Sequence, residues 1–285
     1  MILLLGLCWL DAHAEWPGIY LFPLAIVLCF LGTIELVRLF RATGHEVQSW
    51  SILFGSLLAI LGASAPIFWT GKEQFKFFAG GLVAGLLVNI VAEMFRFRQP
   101  GKTIVQISLA SFAVLYLGGL LGFLVQLRLL PVGGDVAGGG MLALFSMIAV
   151  VKFTDIGAYF AGRAWGKNKM APVLSPGKTW EGAAGGMLLA VAASLFCLGP
   201  LAKMMGVATT GGWLNWLVGA LGYGLCVGLA GMLGDLAESL LKRDAGVKDS
   251  SDWLPGFGGV LDLLDSLLFA GPVAYLIWAL GWVGP

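Results

Sequence analysis

Three carboxylates in the last third of this chain stand where they could bind a cation. Asp235 lies near the end of one apolar run, and Asp262 and Asp265 stand three residues apart in the next. At that spacing Asp262 and Asp265 share a helix face. Carboxylates that stay ionised at a membrane surface favour a hard cation, and Mg²⁺ is commonly bound by few carboxylates together with substrate phosphates. We therefore predict Asp235, Asp262 and Asp265 as ligands of Mg²⁺.

A second polar segment, MAPVLSPGKTWEGAAGG at residues 170 to 186, could hold a phosphate. A helix starting near Glu181, after a Pro-Gly turn, would bring together Lys178, the Thr179 hydroxyl and free backbone N–H groups. The segment is not a nucleotide P-loop, because that motif's upstream glycine would fall at Pro172 and no strand is expected before the loop. The alternative is a cytoplasmic turn with solvated charges.

A third cluster lies within an apolar run. On a helix, Lys152, Asp155 and Tyr159 share one stripe and point the carboxylate into the bundle. Ionisable groups inside a membrane are costly and usually line a site or cavity. The alternative is an ion pair between Lys152 and Asp155 that only cancels two charges.

The elements that position these residues must be membrane helices. Of the 285 residues 59% are hydrophobic and 12% charged, and the mean hydropathy is +0.90. A spanning helix needs about 20 apolar residues. The apolar segments lie at 17–37, 50–70, 77–95, 104–127, 138–161, 182–202, 212–234 and 258–282. With the run Met1 to Leu10, read as a span whose beginning is missing, they predict an all-α polytopic bundle of about nine transmembrane helices.

The basic residues predict the orientation of this bundle, because cytoplasmic loops collect Lys and Arg. With the N-terminus inside, twelve basic residues fall in inside loops and four in outside loops. An eight-span version gives every later loop the same side. The basic residues thus follow topology and form no patch for nucleic acid.

The N-terminal half offers mainly packing residues. Glu35 and Glu93 each stand three positions before an arginine, Arg38 and Arg96, which predicts ion pairs on helix surfaces. Its paired glycines predict close helix contacts. They are Gly80, Gly81 and Gly85, and Gly118, Gly119 and Gly122.

Two segments together resemble the bacterial phosphatidate cytidylyltransferase (CDP-diglyceride synthase) family. They are DIGAYFAGRAWGKNKMAPVLSPGKTWEG at 155–182 and GDLAESLLKRDAGVKDSSDWLPGFGGVLDLLD at 234–265. The family signature has the form S-x-x-K-R-x4-K-D, then P-G-H-G-G, then a D-R-x-D-like ending. It is filled by Ser239, Lys242, Arg243, Lys248, Asp249, Pro255, Gly256, Gly258, Gly259, Asp262 and Asp265. Phe257 stands where the family has His, and Leu263 where it has Arg.

The resemblance implies a reaction in which the phosphate of phosphatidic acid attacks the α-phosphorus of CTP. Pyrophosphate leaves and CDP-diacylglycerol remains in the bilayer, which is work for Mg²⁺ and Lys/Arg rather than for a protein nucleophile. The implied nucleotide-binding residues are Asp155, Ser175, Lys178, Thr179, Glu181 and Ser239. The implied catalytic residues are Asp235, Asp262, Asp265, Lys242, Arg243, Lys248 and Asp249.

The same resemblance implies an organisation for the chain. Residues 1–150 would form a transmembrane scaffold that faces lipid or packs in a homodimer, and residues 151–285 would carry the catalytic loops. The expected location is the bacterial inner membrane, with the site on the cytoplasmic side. Whether a monovalent cation joins Mg²⁺ is left open.

Two other functions remain open at this point. One is a secondary transporter in which Lys152, Asp155 and Asp262 form an ion path. The absence of a second copy of the polar motifs in the first half counts against it, since transporters are commonly built from repeats. The other is a degenerate CTP-binding family member of low activity, which Phe257 and Leu263 suggest.

Overall fold

The computed structural model describes residues 2–68, 74–133, 136–207, 212–251 and 258–284, and most of them are helical. The helices are α1 (Ile2–Ala12), α2 (Leu21–Ala42), α3 (Ser49–Ala63), α4 (Ala65–Phe68), α5 (Gln74–Arg96), α6 (Thr103–Arg128), α7 (Gly138–Trp165), α8 (Trp180–Met204), α9 (Trp213–Asp244) and α10 (Val260–Ala279). Helices α6 and α8 each contain one π-helical turn, at Val114–Gly119 and Cys197–Leu201.

Seven helices of the described chain are long and apolar enough to cross a membrane. They are α2, α5, α6, α7, α8, α9 and α10. Helix α3 is apolar but has 15 residues, and α1 has 11. All nine apolar segments expected from the sequence thus contain a helix, of which seven reach spanning length. The fold class, an all-α multi-pass membrane protein, is confirmed.

One small element departs from that class. Strands β1 (Lys169–Ala171) and β2 (Ser175–Thr179) form an antiparallel hairpin in which Lys169 pairs with Thr179 and Ala171 with Ser175. The expectation that no strand precedes Lys178 was therefore wrong. Pro176 is tolerated in β2 because a two-stranded hairpin consists of edge strands, where a missing N–H can face away from the partner.

The chain forms two compact units. The first unit comprises residues 1–129 and 241–264, and the second comprises 130–240 and 265–285. Residues from 241–264 belong to the first unit through contacts that include the hydrogen bonds of Val260 and Leu261 to Glu35 of α2. The expected functional division into residues 1–150 and 151–285 stays a prediction.

Glycines let helices of the first unit approach closely, as the sequence predicts. A Cβ atom added to Gly85 of α5 would lie 2.4 Å from the carbonyl oxygen of Gly55 in α3, and one added to Gly81 would lie 2.3 Å from that of Leu58. Any side chain at either glycine would separate the two backbones. Gly80 makes no such contact.

The same device joins α7 to α8 in the second unit. A Cβ atom on Gly157 would lie 2.6 Å from the Gly185 carbonyl oxygen, and one on Gly186 would lie 2.9 Å from that of Thr154. At the end of α7, Gly166 lies against the Thr179 side chain. The β-hairpin is thereby held where α7 ends and α8 begins.

Candidate active site

The second unit brings together charged residues from four elements, which we call the acidic cluster. Its members are Lys152 and Asp155 of α7, Lys178 of β2, Asp235 of α9 and Asp265 of α10. The Lys178 Nζ lies 2.7 Å from Asp235 Oδ2, and the Lys152 Nζ lies 3.6 Å from Asp155 Oδ2. The predicted stripe on α7 and the predicted phosphate-binding lysine are thus neighbours in space.

Negative charge exceeds positive charge in the acidic cluster. The Asp235 carboxylate lies near enough to those of Asp155 and Asp265 for the like charges to repel each other. Lys152 attracts both Asp155 and Asp265, so two lysines face three carboxylates. A cation bound here would relieve that repulsion.

The carboxylates of the acidic cluster suit a hard cation whose remaining ligands are water or substrate oxygens. Across the described residues, no three His, Cys, Asp or Glu side chains are close enough together to hold a metal by themselves. Mg²⁺ does not require such a cage, because it is usually bound by one or two carboxylates, water and substrate phosphates. Asp235 and Asp265 fit that pattern.

The β-hairpin is held in shape by two of the residues expected to bind nucleotide. The Thr179 hydroxyl accepts a hydrogen bond from the Gly182 N–H at 3.1 Å and so caps α8, which begins at Trp180, close to the expected start. Glu181 accepts bonds from the backbone N–H groups of Lys167 and Asn168 and from Asn168 Nδ2, the last at 2.7 Å. The contacts seen for Thr179 and Glu181 are therefore structural, and nucleotide binding by them stays a prediction.

Asp262 lies in the first unit and is surrounded by donors. Its Oδ1 accepts a hydrogen bond from the Lys242 ammonium. Its Oδ2 accepts bonds from Ser250 N at 3.0 Å, Ser250 Oγ at 2.6 Å and Gly259 N at 2.7 Å. Both carboxylate oxygens thus have protein partners, and the metal-binding role of Asp262 stays a prediction.

Glu35 of α2 belongs to the group of polar residues around Asp262, and the sequence did not predict it there. Its expected place on a helix surface was wrong, because the residue is only 3% exposed. It accepts hydrogen bonds from Ser251 Oγ at 2.6 Å, Val260 N at 2.9 Å, Leu261 N at 2.8 Å and Ser250 Oγ at 3.1 Å. We call Glu35, Lys242, Ser250, Ser251 and Asp262 the Glu35–Asp262 network.

A signal for Glu35 does exist in the sequence. Helix α10 is preceded by Gly259, which has no side chain to cap the exposed N–H groups of Val260 and Leu261. A distant acceptor was therefore required, and an isolated acid among apolar residues was a candidate. For Glu93 the expected ion pair is present, since its Oε1 lies 3.6 Å from Arg96 Nη1, but the expected surface position was wrong here too, because Glu93 is also only 3% exposed.

The other predicted residues have few distinguishing contacts. Arg243 donates to the Val247 carbonyl at 3.3 Å, and Lys248 and Asp249 are exposed. Ser239 is buried on α9 and Ser175 is half-buried in β2. Their roles stay predictions.

Phe257 and Leu263 are the two positions at which this chain departs from the family signature. Leu263 is 42% exposed on α10, whereas Phe257, with Pro255 and Gly256, lies outside the described residues. Gly258, with φ of +78°, adopts a backbone conformation that favours glycine. A Cβ atom on Gly259 would overlap with Ser250 Oγ and the Glu35 carboxylate, so only glycine fits there.

Comparison with known proteins decides the family. The model of the cytidylyltransferase family matches residues 1–280. The chain belongs to this family. Relatives named phosphatidate cytidylyltransferase include one from Bacillus subtilis, 30% identical over 267 residues that cover 90% of this chain and 89% of the relative. Another, from Synechocystis sp., is 32% identical over 284 residues, covering 90% and 88%.

A more similar but shorter match comes from Pseudomonas aeruginosa. That phosphatidate cytidylyltransferase is 44% identical over 143 residues, so the matched part is about half of each chain, 50% of this one and 49% of the relative. The cytidylyltransferase family expected from the motifs is confirmed. Its signature residues are found in both groups of charged residues: Asp265 in the acidic cluster, and Lys242 and Asp262 in the Glu35–Asp262 network.

Proposed function

We propose that this chain transfers the cytidylyl group of CTP to phosphatidic acid, which yields CDP-diacylglycerol and pyrophosphate. The observation that carries the proposal is the acidic cluster, with Lys178 against Asp235 and with Asp265 nearby, in a multi-pass membrane member of the cytidylyltransferase family. The names of the relatives that align over about nine-tenths of the chain support the choice of phosphatidate as acceptor.

Mg²⁺ is part of the proposal. Asp235 and Asp265 would hold it, because their mutual repulsion marks a position where positive charge is favoured and their oxygens are the hard donors that Mg²⁺ prefers. Bound there, Mg²⁺ would supply charge neutralisation for the leaving pyrophosphate. Asp262, whose oxygens accept bonds from Lys242, Ser250 and Gly259, would orient Lys242, and its predicted role as a further Mg²⁺ ligand is part of the proposal.

Lys178 would bind a phosphate of the nucleotide. Its ammonium is a point charge on a flexible stem, so it can turn from Asp235 to a substrate oxygen when that carboxylate gains another positive partner. The hairpin that carries it is fixed by the Thr179 cap and by Glu181. Asp155 would keep Lys152 in place beside Asp265.

The remaining predicted residues complete the proposal from the family signature alone. Lys242, Arg243 and Lys248 would contact substrate phosphates, with Asp249 supporting their loop. Ser175 and Ser239 would add hydroxyl donors to the nucleotide. We also propose that the chain lies in the inner membrane with its site on the cytoplasmic side, where CTP is present. The chain would form a homodimer. A monovalent cation beside Mg²⁺ remains part of the hypothesis to be tested.

The test is conversion of CTP labelled in the α-phosphate by purified protein in detergent, with phosphatidic acid and with or without Mg²⁺. Lipid-soluble label that requires both phosphatidic acid and Mg²⁺ is expected. Asp265→Asn should strongly reduce it, whereas Asp244→Asn, at an exposed acid near the end of α9, should not. Wild-type protein that binds CTP but yields no labelled lipid would favour the low-activity alternative. Phosphatidate-independent ion flux in vesicles would favour the transporter.

A further inference from the structure

Glu35 joins two parts of the segment that carries the family signature, residues 239–265, which we call the signature segment. Ser250 and Ser251 stand before residues 252–257, and Val260 and Leu261 stand after them. Glu35 Oε1 accepts one bond from Ser251 Oγ and one from Val260 N. Glu35 Oε2 accepts one from Ser250 Oγ and one from Leu261 N. Each carboxylate oxygen thus lies within hydrogen-bond distance of a donor on both sides of residues 252–257.

The helix start of α10 and the burial of Glu35 both favour these hydrogen bonds. The N–H groups of Val260 and Leu261 open α10 and have no helical acceptor of their own. A carboxylate at a helix N-terminus is favoured by the helix dipole as well as by hydrogen bonding. Since Glu35 is 3% exposed, the loss of its charge would leave buried donors without their partner.

The Glu35 carboxylate is also connected to Asp262. Ser250 Oγ lies 3.1 Å from Glu35 Oε2 and 2.6 Å from Asp262 Oδ2. A hydroxyl has one proton, so Ser250 donates to one carboxylate at a time. The backbone N–H groups of Ser250 and Gly259 fix Asp262 independently, and Asp262 in turn holds Lys242. The position of the Lys242 ammonium therefore depends on a segment whose two sides Glu35 holds.

We propose that Glu35, in the N-terminal part of the chain, is a positioning residue for cytidylyl transfer. It fixes Ser250 and Ser251 against the start of α10 so that Lys242 and Asp262 keep their relative positions. This inference rests on the proposed function for its effect on rate. It adds to the site a residue of α2, a helix in the part of the chain expected to be scaffold.

Glu93 provides a matched control. It is also a glutamate at 3% exposure near the end of a membrane helix, and it also has polar partners: it forms an ion pair with Arg96 at 3.6 Å and accepts a hydrogen bond from Gln48 Nε2 at 3.3 Å. None of these partners belongs to the signature segment. Glu35→Gln and Glu93→Gln therefore remove the same charge from similar surroundings, but only the first affects the network.

The first measurement is steady-state turnover of both variants. We expect Glu35→Gln to lower kcat about 10- to 100-fold with a smaller change in the KM for CTP, because a neutral amide offers one acceptor oxygen instead of two. Glu93→Gln should keep kcat within about threefold of wild type. Glu35→Asp, which keeps the charge, should recover part of the loss. Equal kcat values for the two glutamine variants, when their melting temperatures are equally lowered, would overturn the inference.

The second measurement does not need activity. Hydrogen exchange of the peptide that contains Val260 and Leu261 should become faster in Glu35→Gln than in wild type and Glu93→Gln. Unchanged exchange would show that Glu35 does not hold this segment, whatever the assay gives. If wild type makes no CDP-diacylglycerol while exchange changes as expected, the proposed function fails and the positioning contact stands. Should Glu35→Gln not fold, Ser251→Ala, which removes one donor, must show the same changes at smaller size.

Discussion

The two units use carboxylates in opposite ways. In the Glu35–Asp262 network, Glu35 and Asp262 share the Ser250 hydroxyl as a donor, and each accepts three further hydrogen bonds from protein donors. In the acidic cluster, Asp235 pairs with Lys178 but is repelled by Asp155 and Asp265. Fully bonded carboxylates hold a local structure together, whereas carboxylates that repel each other favour an external cation. The first arrangement thus belongs to positioning and the second to binding.

The largest effect on activity is expected at Asp265, where the result could contradict the proposed difference between the two groups of carboxylates. Asp265→Asn should lower kcat/KM by about 10²- to 10³-fold and raise the Mg²⁺ concentration needed for half-maximal rate, because one hard donor is lost. Stability should not fall, since repulsion with Asp235 disappears. Titration of activity with Mg²⁺ and thermal unfolding in detergent measure the two effects. A strongly destabilised variant with normal Mg²⁺ dependence would assign Asp265 to structure instead.

Substitutions in the ion pair of Lys242 and Asp262, unlike Asp265→Asn, should lower the stability of the protein. Both side chains are 13% exposed, so removing either one takes the oppositely charged group away from a largely buried charge. A double-mutant cycle with Lys242→Met and Asp262→Asn should give a coupling energy of about 2–3 kcal/mol in thermal stability. The more exposed pair of Arg96 with Glu46 serves as control and should give less than about 1 kcal/mol. Equal coupling in both pairs would remove the distinction between the two groups of carboxylates.

Lys178 tests whether the acidic cluster changes partners on binding. Lys178→Met should raise the KM for CTP about 10-fold, as expected for one lost charge-assisted contact to phosphate, and change stability little. Lys169→Met, at an exposed position on β1 of the same hairpin, is the control. If Lys178→Met lowers the melting temperature and leaves the KM unaltered, the lysine serves only to neutralise Asp235.

The smallest effect is expected at Glu181. Its contacts to Lys167 and Asn168 hold the turn before β1 and are exposed. Glu181→Gln keeps an acceptor for Asn168, so turnover should change less than about threefold. A larger change in the KM for CTP, measured in the same assay, would instead support the predicted nucleotide contact and extend the binding role from Lys178 to Glu181.

Local sequence patterns predicted the elements well. Apolar runs located the seven spanning helices, and the Ser-Pro-Gly-Lys-Thr segment located the start of α8 within a residue of Glu181. Each of these features depends on neighbours in sequence. The β-hairpin was missed because its three- and five-residue strands are too short to show a periodic pattern.

The candidate site was predictable only in part, because its contacts are long-range. The acidic residues of α9 and α10 were identified from type and spacing. The bonds of Glu35 join it to residues 225 and 226 positions away, and no pattern near Glu35 encodes them. Spacing suggested a partner one turn along α2, which is a weaker constraint than the uncapped start of α10.

The bonds of Glu35 also have a consequence for biosynthesis. Glu35 is synthesised well before its partners Val260 and Leu261. At translation rates of about 5–20 residues per second, the 225 positions from Glu35 to Val260 take about 10–45 seconds to synthesise. During that time a buried acid in α2 has none of these four donors. The first unit therefore completes these buried contacts only after the start of α10 has been synthesised.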